Sequence, residues 1–286
     1  NQLTGNEVSW NAYGYVRNAV GIDLRAPGNL VSGNRLHDNE DSGIQSYPGG
    51  DRNTIVDNVS YHSMGFTTVA LSNCSPPPTG NTAGCITGDH GIDDFGVTGS
   101  SIVGNTVYGN VAAGINVEGI PAGTPSGFTI ANNISVDNAI LCPDGLGGTV
   151  KCPRSRGNIR IDSTSQLGTS LDYDLVNLSL GGTMMVWGAT SYTSLAAFQA
   201  ATGQEIHGLQ ADPRLANPAL ANFTLQAGSP AIDSANSSAP GQTAVDAASQ
   251  PRVDDPATVD TGVGVRSYDD RGAFEYQPST QSGVTP

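Results

Sequence analysis

The sequence predicts an all-β solenoid, a parallel β-helix in which short strands stack coil upon coil. A two-part phrase recurs five times before residue 162, an Asn-led hexapeptide answered by Gly with Ile close behind. The leading Asn6, Asn34, Asn58, Asn105 and Asn133 are spaced by 28, 24, 47 and 28 residues. Such a period marks supersecondary units that bury their apolar side only against their neighbours. Apolar residues also alternate within phrases, as in Ile22/Leu24, Ile115/Val117 and Ile159/Ile161. That alternation is the mark of short strands with one buried face.

The hexapeptides begin at those five Asn, and the answers are Gly21-Ile22, Gly43-Ile44, Gly91-Ile92, Gly114-Ile115 and the looser Gly157-Asn158-Ile159. Three strands per coil account for a spacing of 24, and the 47 is one coil plus an excursion that ends at His90. Asn residues stacked in register hydrogen-bond along the axis as a ladder, so they are read as scaffold. Residues 1–190 are assigned to the coils, with earlier N-terminal coils expected to be missing because Asn1 already stands in register. Residues 191–276 are assigned to a C-terminal helix and a loop-rich cap. Tyr192–Gly203 reads as a short amphipathic helix with Ser194 as N-cap, Leu195 and Phe198 buried and Gly203 as stop. Residues 234–269 are expected to form a long surface loop, and residues 277–286 a flexible tail.

Composition sets limits. Twelve Lys and Arg against 26 Asp and Glu give a net charge of −14, which argues against nucleic acid or an anionic membrane as partner. The same charge opposes an acidic polysaccharide unless a cation or a local arginine cluster reverses it. No apolar run of about 18 residues is present, so membrane insertion is not expected. The cysteines form two close pairs, Cys74/Cys85 and Cys142/Cys152, each bracketing an insertion between the halves of a coil. Disulfides there fit an oxidising setting and would contribute about 2–3 kcal/mol each; four free structural thiols are the alternative. Without companion histidines, zinc is not expected.

Residues 1–180 resemble the right-handed parallel β-helix repeats of the pectate-lyase-like superfamily. Residues 190–276, with Gly228-Ser-Pro-Ala-Ile-Asp233 and Gly272-Ala-Phe-Glu-Tyr276, resemble a C-terminal segment of many secreted bacterial β-helix proteins. The resemblance implies a secreted or cell-surface protein that binds a glycan along one sheet face. The superfamily holds lyases, hydrolases, epimerases, tailspikes and adhesins, so the reaction does not follow from the fold.

Chemistry is therefore read from the outward faces. With each Ile inward, the next residue points out. The outward pairs are Asp23/Arg25, Gln45/Tyr47, Asp93/Phe95, Asn116/Glu118 and Arg160/Asp162. Stacked at about 4.8 Å they form one strip. Catalytic roles are assigned to Asp93, Glu118, His90 and Arg160, with His90 a candidate general base. Substrate binding is assigned to Asp23, Arg25, Gln45, Tyr47, Phe95 and Asn116. The Asp93 and Glu118 carboxyls are expected about 6–9 Å apart, a range that overlaps the acid–base spacing of an inverting glycoside hydrolase. Asp94 falls on the inward side, where it must be paired, metal-bound or displaced by a bulge. A metal is assigned to Asp93, Asp94 and Glu118; calcium held by Asp23, Asp93 and Glu118, with Arg25 or Arg160 as the positive partner, would suit a lyase.

The lone lysine, Lys151, lies inside the Cys142–Cys152 insertion, which argues against a lysine base. His37 and His62 are expected to be exposed stacking residues. Asp246, Asp254, Asp255 and Asp260 are expected to be solvated, since they lack the spacing of a calcium loop. Three functions follow: an enzyme that cleaves a polysaccharide, a non-catalytic glycan-binding module or adhesin, and a filament subunit joined head to tail through an uncapped first coil.

Overall fold

The computed structural model describes residues 1–11, 19–63, 89–143, 149–151 and 156–278. Of the cysteines expected to pair, Cys74, Cys85 and Cys152 lie outside the described residues, and so does the side chain of Cys142. The Cys74/Cys85 and Cys142/Cys152 disulfides are therefore not among the described contacts. Residues 64–88 of the excursion and residues 279–286 of the tail also lie outside the described residues.

Coil one is β1 (Gln2–Thr4), β2 (Glu7–Ser9) and β3 (Ile22–Leu24). Coil two is β4 (Leu30–Ser32), β5 (Arg35–His37) and β6 (Ile44–Ser46). Coil three is β7 (Thr54–Val56), β8 (Val59–Tyr61) and β9 (Ile92–Phe95), and coil four β10 (Ser101–Val103), β11 (Thr106–Tyr108) and β12 (Ile115–Glu118). Coil five has β13 (Thr129–Ala131) and β14 (Ile134–Val136), the antiparallel ribbon β15 (Leu141–Pro143) with β16 (Thr149–Lys151), and β17 (Ile159–Ile161). Coil six is β18 (Ser170–Asp172), β19 (Leu175–Asn177) and β20 (Met185–Trp187). Three parallel sheets result: β1-β4-β7-β10-β13-β18, β2-β5-β8-β11-β14-β19 and β3-β6-β9-β12-β17-β20.

Register is in step throughout. Val31, Ile55, Ile102, Ile130 and Leu171 form one interior column, and Ile22, Ile44, Ile92, Ile115, Ile159 and Met185 another. The Asn scaffold is present as expected. Asn6, Asn34, Asn58, Asn105 and Asn133 each pass an amide hydrogen bond of 2.8–3.0 Å to the next coil's side chain, and the ladder ends on Asp174. A second ladder runs through Asn110, Asn138 and Asn158. The amides of the first ladder satisfy main-chain donors and acceptors at the corner between the first and second sheets, where an orphaned group would cost about 1–3 kcal/mol.

The Gly of the Gly-Ile phrase owes its place to close approach. A Cβ on Gly21 would lie 2.4 Å from the Gly43 carbonyl oxygen, and one on Gly91 2.8 Å from that of Gly114.

Past coil six come β21 (Thr190–Tyr192), α1 (Leu195–Thr202), β22 (Leu209–Gln210), β23 (Leu215–Asn217) and β24 (Asn222–Leu225). Ser194 caps α1 by accepting from the Ala197 amide, Leu195 and Phe198 are buried, and Gly203 ends it at φ 69°. β22 joins the second sheet beside β19, so β-helical pairing extends past residue 190. The segment then turns back along the solenoid. Phe223, Leu225, Ile232 and Ala273 pack on Val59, Tyr61, Ile134 and Val136 of the second sheet, and Ala239 packs on Val56 and Val103 of the first. Residues 234–269 depart from a loose surface loop: Arg252 lies buried between Asp57, 2.9 Å away, and Glu275, 3.0 Å away. Among the described residues, no helix is long and apolar enough to cross a membrane.

Candidate functional site

The cap covers outer faces of the first two sheets, and the strip lies on the third. Its register places Asp23, Gln45, Asp93, Asn116 and Arg160 in one row, with Phe95 beside Glu118 in the next. Hydrogen bonds run along the row. Gln45 Nε2 donates to Asp93 Oδ2 at 2.9 Å and Asn116 Nδ2 to Asp93 Oδ1 at 2.7 Å. Arg160 Nη1 donates to Asn116 Oδ1 at 2.6 Å and to Glu118 Oε2 at 2.5 Å. Tyr47 and Phe95 stack with ring centroids 5.1 Å apart, and the Arg25 guanidinium lies 4.8 Å over Tyr47. Arg25 also pairs with Asp23 at 2.8 Å, at the exposed end of the strip.

Asp93 and Glu118 have opposite electrostatics. Burial, with Asp89 nearby, raises the Asp93 pKa above the usual carboxylate range despite the opposing charge of His90. Burial would raise Glu118 too, but Arg156 and Arg160 outweigh it and lower its pKa. The expected distance needs correction: oxygens of Asp93 and Glu118 and a nitrogen of His90 all lie within 4.8 Å of one another. Asn116 lies between the two coils, its Cα paired with Asp93 on one side and with Arg160 on the other, and the Glu118 side chain reaches back toward this row to meet Arg160.

His90 is buried with Nε2 2.9 Å from Asp89. Burial disfavours its charge, yet Asp89 and Asp93 raise its pKa. Carboxylates on both sides favour the protonated ring, which is ill suited to the expected role of base. Asp94 takes the inward course, in register with Ser46 and Val117 and fully buried. Burial pushes it up to about 7; the Ser46 and Ser100 hydroxyls offset part of that rise, though neither makes a geometrically sound hydrogen bond. Burial favours the protonated form of Asp94, a way out not foreseen in the sequence, and Asp94 stands apart from the strip.

Sequence reasoning missed Asp41 and Arg156. Through the main chain Asp41 bonds Ala19, while Arg156 bonds Ala112 and Ala112 bonds Asp89, all at the corner leading into the third sheet. Burial, then Asp89, pushes Asp41 up to about 7, and Arg156 Nη1 lies 3.1 Å from Glu118. The signal was available: Asp41 stands three places before Ile44 and Arg156 three before Ile159, the same offset in both phrases. His37 stacks on Tyr61 at 4.8 Å and His62 meets the same ring edge-on at 5.2 Å, away from the strip. Both are partly buried.

The calcium assignment fits this centre poorly. Calcium takes about 6–8 oxygen ligands, whereas the group that converges is one imidazole and two engaged carboxylates. Both Asp93 oxygens accept from amides, Glu118 is held by two arginines, and Asp94 faces the interior. His90 Nδ1 has no hydrogen-bond partner, but it is a nitrogen donor, foreign to a calcium site. Positive charge at this centre comes from Arg156 and Arg160.

No family model matches the chain, and no curated protein matches it in sequence. Among solved structures it is similar to the crystal structure of pectate lyase Pel9A, with a TM-score of 0.53 at 17% identity. The likeness covers 97% of this chain and 60% of that one. It shows a shared right-handed β-helix.

Proposed function

We propose that the chain is a secreted or cell-surface carbohydrate-active protein that cleaves a polysaccharide on the third sheet. One observation carries this reading: two carboxyls with opposite pKa displacements, Asp93 raised and Glu118 lowered, have oxygens within 4.8 Å of each other. Environments that push two titratable groups apart divide acid from base. Asp93 keeps its proton to higher pH and donates it to the leaving glycosidic oxygen. Glu118 stays ionised and supports the positive charge that develops at the sugar, or attacks it. Their proximity is nearer to a retaining arrangement than to the inverting one expected from the strand register. Arg160 orients Glu118, and the Tyr47–Phe95 stack supplies an aromatic surface for a sugar ring, Phe95 being 36% exposed.

A second reading, a uronate lyase, is supported by Arg156 and Arg160 on the same carboxylate and by the likeness of fold to a pectate lyase. Two guanidiniums could take a uronate carboxylate in place of Glu118. Purified protein is incubated with neutral and uronate polysaccharides, and both reducing ends and the ultraviolet absorbance of an unsaturated uronate are followed. Reducing ends alone support the hydrolase, and absorbing product from uronates supports the lyase. Binding without either product would replace the enzyme by an adhesin.

A further inference from the structure

A second carboxylate cluster lies in the cap, far along the chain from the strip. Asp233 of the Gly228–Asp233 phrase is fully buried, and its Oδ2 has no hydrogen-bond partner. Its other oxygen receives only a long 3.4 Å bond from the Asp255 amide. Asp254 and Asp260, expected to be solvated, are exposed but each brings an oxygen within 4.8 Å of Asp233 and of the other. Asp246 and Asp255 are buried and take no part in this group.

Three arginines of the cap are committed elsewhere. Arg252 pairs with Asp57 and Glu275, Arg266 with Asp269, and Arg271 reaches the main chain of Ser234, Asp174 and His207. Among the described residues, three carboxylates thus converge with no cationic side chain between them, one of them sealed from water and unsatisfied. Burial, then repulsion from Asp254 and Asp260, pushes Asp233 up to about 7.

We infer that Asp233, Asp254 and Asp260 form a divalent cation site with the chemistry of calcium. The donors are all oxygen, the preference of a hard ion. Oxygens on opposite sides of calcium stand about 4.6–5.2 Å apart, against about 4.0–4.2 Å for magnesium, from metal–oxygen lengths of about 2.3–2.6 and 2.0–2.1 Å. Oxygens that lie within 4.8 Å of one another fall within reach of one such ion. Water and main-chain oxygen would complete its shell. The ion would tie residues 254–260 to Asp233, whose carbonyl already accepts from the Thr261 and Gly262 amides at 2.8 and 3.1 Å.

The test uses the full chain, stripped with chelator and then titrated with calcium chloride by calorimetry, beside D254N/D260N and D233N. Both substituted aspartates of the double variant are exposed, so folding is expected and is checked by circular dichroism. Wild type is expected to bind one calcium more than either variant. Saturating calcium should raise its melting temperature by roughly 5–10 °C and slow tryptic cleavage at Arg266. Without calcium, D254N/D260N should melt at or above wild type, since mutual repulsion is removed. Equal calcium stoichiometry and equal thermal response in wild type and double variant would overturn the inference, as would a wild type that binds none.

Discussion

Arg160 and Glu118 lock across the β12–β17 pair, with Arg160 Nη1 2.5 Å from Glu118 Oε2 and 2.6 Å from Asn116 Oδ1. One guanidinium nitrogen thus fixes both a carboxylate and the amide that holds Asp93. Removing it as Arg160→Leu leaves Glu118 with Arg156 alone, and its pKa should rise. Cleavage should fall by about 10²-fold, and the acidic limb of the rate profile should move to higher pH. Arg160→Lys should recover part of the rate. A profile that stays in place while the rate drops would show that Glu118 is not the ionised partner.

Asp93→Asn and Glu118→Gln should each lower cleavage by roughly 10²–10⁴-fold. Wild-type activity should decline as pH rises through the raised pKa of Asp93, because the acid is then spent. Asp93→Asn should remove that alkaline limb from any residual activity. Steady-state rates across pH on one soluble oligosaccharide give both results.

Tyr47→Ala and Phe95→Ala act on binding. The stack and the Arg25 contact lie beside the carboxyl pair, so KM should rise roughly 3- to 10-fold with kcat little changed. An equal fall in kcat would place the rings at the reacting sugar.

The Asn ladder ends on a buried acid pair, Asp174 with Glu205. Asp174 Oδ1 accepts from Asn133 at 2.8 Å, and Glu205 Oε2 accepts from the Asp174 amide at 3.2 Å. Burial pushes Asp174 up to about 6, and burial with Asp174 beside it raises Glu205 well above its ordinary value. The fold therefore holds protons that the unfolded chain releases near pH 4, so stability falls with rising pH. This contribution is complete below about pH 4 and is lost as pH climbs through about 6 and beyond. Asp174→Asn keeps the ladder acceptor and removes one charge. It should raise stability above about pH 7 by on the order of 1–3 kcal/mol and flatten the dependence of melting temperature on pH. A slope equal to that of wild type would locate the titration elsewhere.

Asn105→Ala should cost about 2–5 kcal/mol. It strands the Asn58 amide, which donates to Asn105 Oδ1 at 2.9 Å, and the Ile55 carbonyl, which accepts from Asn105 Nδ2 at 2.9 Å. Urea unfolding measures it, and a loss under about 1 kcal/mol would mean that the corner relaxes around the gap.

The coils were legible because identical contacts repeat: one Asn or one Gly-Ile phrase is weak, but five in step admit few folds. The strip was legible for the same reason, since alternation decides which residues share a face. Side-chain reach was not. Stacking Asn116 beside Asp93 says nothing of how the Asp93 and Glu118 side chains extend, so the carboxyl separation came out shorter than the strand register implied. Asp41 and Arg156 escaped because they stand on corners, where no alternation marks a face. The Asp233 group escaped because its members are brought together by a chain that doubles back, and sequence spacing carries no trace of that.

That returning chain has a consequence for how the protein comes apart. A bare stack of coils can fray from either end, one layer at a time, because each layer touches only its neighbours. Here Arg35 reaches Ala221, Arg252 holds Asp57, Ala273 bonds Thr106, Gly272 bonds Asn132 and Arg271 bonds Asp174. Coils two through six are thus fastened to one strap. Peeling any of them away means lifting that strap from the rest, which turns a ladder of separate openings into a single cooperative event.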